Sequence, residues 1–183
     1  MANQRLTDKT SLDNHTGSGD LYMIVDVSDT TGSTAGTSKK LDSKFVIQTD
    51  KISISSAEIA AMNDDGTAGA RKTLVSAPGA GYMIQPISCT VIGVYDSGTE
   101  NSNAAFTIGY NNAASTYYVW QQARMMYGVS GTETYVLTQK GASSTSTFNA
   151  SIEDKGLFAY SSLPFNATWS ATVYITYQIV KLS

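Results

Sequence analysis

Hydrophobic and polar positions alternate most regularly near the end of the chain. Trp169, Ala171, Val173, Ile175, Tyr177 and Ile179 share one face of an extended segment, and Thr168, Ser170, Thr172, Tyr174, Thr176 and Gln178 share the other. A period of two over such a length marks a half-buried β-strand. At about 3.3 Å per residue this strand exceeds the usual length, so it is expected to bend or to run past the edge of one sheet. Upstream, the run from Tyr82 to Tyr95 is mostly apolar on both faces, which predicts a strand deep in a sandwich. TLVSA, AAFTIGY, TYYVWQ, TETYVLT, STSTFNA and LFAY are further strand candidates, separated by turn formers such as APGAG, SGTENSN and NNAAS. The pattern predicts an all-β chain in which residues 71–183 form a two-layer antiparallel β-sandwich of jelly-roll type.

The N-terminal part follows a different plan. Residues 1–20 are polar and carry turn formers in NHTGSGD, an extended arm or loop. LYMIVDV, Leu21 to Val27, reads as a first strand, and SKKLDSKFVIQ, residues 38–48, places Leu41, Phe45 and Ile47 where a second strand can pair back to it. Between them lies a long tip of Asp, Thr, Gly, Ser and Ala that has no apolar side chains with which to build a local core. Ser55 followed three positions later by Glu58 is a capping box, and Ile59 to Met62 continue as a short helix stopped by NDDG. The expected organisation is an N-terminal hairpin module over residues 1–55, a short helix and linker over 56–70, and the sandwich over 71–183.

Composition narrows the function classes. Charged residues make up 15% of the 183 positions, below the roughly 25% of ordinary soluble domains, so the surface is made largely of hydroxyls and amides and suits a protein packed among others. Twelve basic against 15 acidic side chains leave a net charge of -3, which provides no electrostatic footprint for nucleic acid. No apolar stretch is long enough to span a bilayer and no secretory pattern is visible, so no membrane partner is expected. Cys89 is the single cysteine and lies in the apolar run ISCTVIGV, where a buried, inert thiol is expected.

The chemical motifs do not assemble a reaction centre. His15 is the single histidine and sits in the polar arm, without the supporting neighbours a catalytic base needs. YGVSG departs from the nucleophile elbow in spacing and context, and GTAGARKT departs from a phosphate loop in its glycine spacing and in having no helix pattern after it. MNDDG has neither the preceding Asp nor the following Glu of a calcium loop, and one Cys with one His rules out a zinc site. Glu133, Glu153, Asp154 and Asp96 are the carboxylates that a glycosidase pair would have to use, with solvated surface groups as the ordinary alternative. The chain is therefore expected to be non-enzymatic, with no cofactor and no metal.

STYYVWQQARMMYG is the richest local stretch. Tyr117, Tyr118, Trp120, Arg124 and Tyr127 crowd together with amides, the residue types of an interface hot spot or a sugar-stacking platform. The competing reading is a core strand followed by a packed turn, because half the side chains of any sandwich strand face inward. If the stretch faces outward, subunit contact is favoured over glycan.

Two segments resemble known proteins. The pattern Asp20, Leu21, Tyr22, Val25, Asp26, Val27 followed by a Ser/Thr/Gly tip and Gly36, Thr37, Ser38, Lys39, Lys40 resembles the start of many tailed-bacteriophage virion proteins, over about the first quarter of the chain. The Ala77 to Gly81 turn and the closing Val173, Tyr174, Ile175, Thr176, Tyr177 strand are similar to the ends of small β-sandwich domains in phage head-fibre, decoration and tail proteins. The resemblance implies a virion location after synthesis in the host cytoplasm, a homotrimer, and contacts with capsid or tail components. It also implies that Leu21, Tyr22, Ile24, Val25, Leu41 and Phe45 serve particle or subunit contact. Having neither a repetitive shaft nor a depolymerase domain, the chain fits a head fibre, a capsid decoration protein or a short tail fibre or adaptor. In the last case host-surface carbohydrate is the alternative partner.

Overall fold

A computed structural model describes residues 21–26, 28, 31, 37–62, 71–110, 118–137 and 152–182. The elements in chain order are β1 (Leu21–Asp26), β2 (Thr37–Asp42), β3 (Gln48–Ile54), α1 (Ser56–Ala61), β4 (Lys72–Val75), β5 (Tyr82–Ser97), β6 (Ala105–Tyr110), β7 (Tyr118–Ala123), β8 (Thr132–Leu137), β9 (Leu157–Ser161) and β10 (Thr168–Lys181). The chain divides into two compact units, residues 1–46 and 47–183. The expected strand in STSTFNA lies outside the described residues.

In the first unit β1 and β2 form the expected antiparallel hairpin, with Tyr22 opposite Leu41 and Val25 opposite Ser38. The second strand is shorter than expected. The Asp42 carboxylate accepts a hydrogen bond from the Lys44 backbone at 3.0 Å, and the Lys44 ammonium returns to it at 3.5 Å. This local closure turns Ser43–Phe45 into a 3-10 helix and ends the strand. Phe45 thus lies off the hairpin ladder, with the Lys44 Nζ 5.0 Å from its ring centre.

The second unit is a jelly roll. β3 pairs with β10, β4 with β9, β5 with β8 and β6 with β7, all antiparallel, so the eight strands form one long nested ribbon. Rolling that ribbon gives two four-stranded sheets ordered β3-β10-β5-β8 and β4-β9-β6-β7. β3 falls within the segment that the sequence pattern assigned to the N-terminal module, yet it is a sandwich strand. It covers the side of β10 opposite β5, and so the boundary between the units lies at Val46/Ile47.

β10 behaves as its alternation predicts: from Trp169 to Tyr177 every second side chain is buried. Its pairing with β5 shifts register at Thr168/Trp169 and Thr176/Tyr177, and at both places the extra residue, Asp96 and then Ile87, lies on β5, which is therefore the bulged strand. The second shift has a chemical cause. Pro86 has no N–H for a central ladder, and here Tyr177 pairs with Pro86 while Thr176 pairs with Ser88, leaving Ile87 as the extra residue, 41% exposed. β5 itself is buried on one face only, through Ile84, Cys89, Val91 and Gly93, rather than on both. A two-layer sandwich leaves each sheet's outer face toward water.

The two inner faces meet in one core. Phe106 of β6 lies 6.4 Å from Trp169 of β10 between ring centres, and Phe165 meets Trp169 edge-on at 4.9 Å. The buried Tyr110 hydroxyl donates to the Ile84 carbonyl at 2.5 Å, linking the sheets, and burial raises its pKa. At one corner α1 begins with the predicted capping box. The Ser55 hydroxyl accepts from the Glu58 backbone at 3.3 Å and Glu58 Oε2 accepts from the Ser55 backbone at 2.8 Å. Ile59 and Met62 pin the helix into the core. Among the described residues no helix is long and apolar enough to cross a membrane.

Candidate functional site

Three connections converge at one end of the sandwich: residues 98–104 between β5 and β6, 124–131 between β7 and β8, and 162–167 between β9 and β10. Glu100 ties them together. It is 1% exposed; its Oε1 accepts from the Ser102 backbone at 2.9 Å, and its Oε2 accepts from the Asn166 and Ala167 backbones at 2.9 and 3.1 Å. Its carbonyl accepts from the Gly128 backbone at 3.0 Å. A buried carboxylate satisfied by three N–H donors holds separate loops together, because without these bonds its charge would be buried unpaired, and so would the Ala167 N–H.

The turn after β7 is forced into an uncommon path. Arg124 and Met126 have φ of 53° and 62°, and Gly128 follows at 68°. Left-handed conformations cost side-chain-bearing residues free energy and persist only where packing requires them. Here the requirement is visible: Met125 and Met126 are both driven into the core, at 0% and 1% exposure. The Tyr135 hydroxyl accepts from the Met126 backbone at 3.0 Å and lies 3.8 Å from its sulfur; burial pushes the Tyr135 pKa up. The two methionines plug the sandwich end, and the residues on either side are held outward.

Those outward residues are Arg124 and Tyr127. The guanidinium sits 5.3 Å from the centre of the Tyr127 ring, which is 47% exposed, and Arg124 Nε donates to Asn103 Oδ1 at 3.0 Å. Asn166 Nδ2 donates to Asn101 Oδ1 at 2.6 Å beside them. The surface thus offers one cation, one aromatic ring and several amides on braced loops. It can stack and hydrogen-bond a partner. It places no nucleophile beside a base.

The other members of the aromatic cluster go elsewhere. Trp120 is completely buried in the core, Tyr118 opens β7 with only its backbone described, and Tyr117 lies outside the described residues. The inward-facing reading therefore holds for Trp120, and the outward-facing one for Arg124 and Tyr127. Of the N-terminal residues expected to serve contact, Leu21, Tyr22, Ile24 and Val25 lie on β1 and Leu41 on β2, while Phe45 is half-buried in the 3-10 helix. Two of the candidate carboxylates have structural work: Glu153 accepts from the Gly81 backbone at 2.7 Å and Asp154 from Gly79 at 2.8 Å, pinning the APGAG turn. Among the described residues no cluster of three His, Cys, Asp or Glu side chains could hold a metal. Glu100 escaped notice in the sequence because nothing in SGTENSN distinguishes a buried carboxylate from a solvated turn residue.

No protein-family model and no curated protein matches the chain. Among solved structures, a chain of the native virion of Kashmir bee virus at acidic pH aligns over 94% of this chain and 94% of its own, at 12% identity and a TM-score of 0.29. At that score the alignment establishes no shared fold, and the jelly roll rests on the strand pairing alone.

Proposed function

We propose that this protein is a non-enzymatic structural component of a bacteriophage virion, a head fibre or capsid decoration protein. Its hairpin unit attaches to the particle, and its jelly roll projects from the surface or cements neighbours. The observation that carries the reading is the division of the chain into a small unit, residues 1–46, whose described strands form one hairpin, and a second unit, residues 47–183, whose described strands form a jelly roll. The phage-like strand, tip and GTSKK return fall on the smaller unit. A surface poor in charge supports assembly among other proteins, with capsid or tail components and further copies of this chain, three by the resemblance, as partners. Mass spectrometry and cryo-EM of purified particles test the reading: the chain should be present at fixed stoichiometry with density for its jelly roll on the outer surface. Absence from the particle would overturn it.

A short tail fibre or adaptor that binds host-surface carbohydrate is the second reading, and the Arg124–Tyr127 pair favours it. An exposed ring on a rigid turn flanked by amides is suited to stacking a sugar. Tyr127→Ala and Arg124→Ala should then abolish adsorption to host cells with the melting temperature unchanged; retained adsorption would leave the pair without this role.

A further inference from the structure

The two sheets have four edge strands, and they are not protected alike. β4 is four residues long and its ladder with β9 shifts register between Thr73 and Val75. The β7 edge is interrupted in the same way where β6 shifts between Ile108 and Gly109. β3 carries the exposed Lys51 in mid-strand. Short length, irregular register and lysine are the devices that stop an edge from recruiting another strand. β8 has none of them. It pairs with β5 in unbroken register from Cys89 opposite Leu137 to Val94 opposite Thr132, and it contains neither Pro nor Lys. Among the described residues no strand lies on its other side. Its outer face carries Thr132, Thr134 and Val136, and Val136 is 75% exposed, a large apolar side chain left in water on an open edge.

We infer that β8 is a self-association edge, which pairs antiparallel with β8 of a second copy across a two-fold axis and joins two four-stranded sheets into one of eight strands. The sequence of β8 says why the occupant is another copy. With the axis at Thr134, Thr132 of each copy meets Val136 of the other, and Glu133 meets Tyr135. No like charges are opposed, and the five residues from Thr132 to Val136 are all paired. A two-fold contact uses the same patch on both partners, so a single unprotected strand is sufficient to build it. The contact is narrow, and by itself it is weak and reversible; it gains strength where many copies are held on one surface. It does not depend on the virion reading, and it is compatible with a homotrimer, in which case it joins one copy from each of two trimers.

Disulfide trapping tests it in the full chain. Thr134→Cys places two thiols across the axis, where directly opposed Cα atoms lie about 4.5–5.5 Å apart, within the range a disulfide bridges. The native Cys89 is 1% exposed and does not compete. Mild oxidation with diamide should convert the Thr134→Cys protein to a covalent dimer at least tenfold faster than a Ser53→Cys control on the β3 edge, which keeps Lys51 in place. Adding Val136→Lys at this exposed position, with circular dichroism to verify that the fold is kept, should reduce trapping to the control rate. Equal rates for the two cysteine variants, or trapping unaffected by Val136→Lys, would overturn the inference. Presence or absence of the protein in purified particles decides the virion reading separately.

Discussion

Met126 stands where a side chain on Gly93 would have to go. A Cβ built on Gly93 would lie 2.5 Å from the Met126 sulfur and 3.3 Å from its Cγ. The plug of the sandwich end and the bare backbone of β5 are thus one packing decision. Gly93→Ala should cost about 1–3 kcal/mol through overpacking. In the Met126→Ala background the same change should cost clearly less, because the two sites share one space. Urea denaturation of the four proteins in the cycle measures both terms, and additive losses would refute the coupling.

Trp120 is wholly enclosed, so its removal tests the core rather than a ligand surface. Trp120→Ala should lose about 3–5 kcal/mol, seen as a large drop in melting temperature or failure to fold. A variant that folded with unchanged stability but lost adsorption would restore the surface role.

Replacing Glu100 with Gln keeps the shape and turns part of the acceptor into a donor. At least one of the Ser102, Asn166 and Ala167 N–H groups would then face an N–H₂ group. Glu100→Gln should destabilise by about 1–3 kcal/mol, with hydrogen exchange accelerated first at Ser102, because the amide oxygen turns to the two donors of Asn166 and Ala167. Uniform acceleration over the whole sandwich would argue against a local clamp.

Glu58 gives the fold an acid-sensitive corner. The Lys72 ammonium 2.5 Å away, followed by the Ser55 backbone and hydroxyl, holds its carboxyl down from 4.5 to about 2. A depressed carboxylate contributes its stability above the unfolded value and loses it as pH falls through the folded one, so the window runs from about 4.5 down to about 2. Glu58→Gln should be less stable than the natural chain at neutral pH, with the gap closing across that window. Ser55→Ala should lose about 1 kcal/mol with the cap. A gap independent of pH would remove the electrostatic account.

Burial pushes the Cys89 thiol up to about 12 and leaves it 1% exposed. In the native protein it should resist a thiol-specific reagent such as a maleimide at neutral pH, reacting only at the rate of unfolding. Rapid stoichiometric labelling would show that the β5 inner face opens.

Local patterns determined much of this protein. The alternation in β10 and the Ser55–Glu58 box depend on neighbours a few residues apart, the return of β2 onto β1 on residues within about twenty, and all are present in the structure. The all-β class and the jelly-roll layering follow from many short strands with turn signals between them. What the tertiary structure decided depends on contacts far apart in sequence. β3 belongs to the sandwich because β10, more than a hundred residues later, needs a partner on its second side. Trp120 and Tyr127 part company because β7 faces the core where the turn beyond it faces water, and no pattern within STYYVWQQARMMYG contains the opposing sheet. Glu100 is a clamp only once three loops arrive at it. Side-chain periodicity is set by the geometry of one strand, whereas which face is inside, and which polar group is buried, is settled by what packs against it.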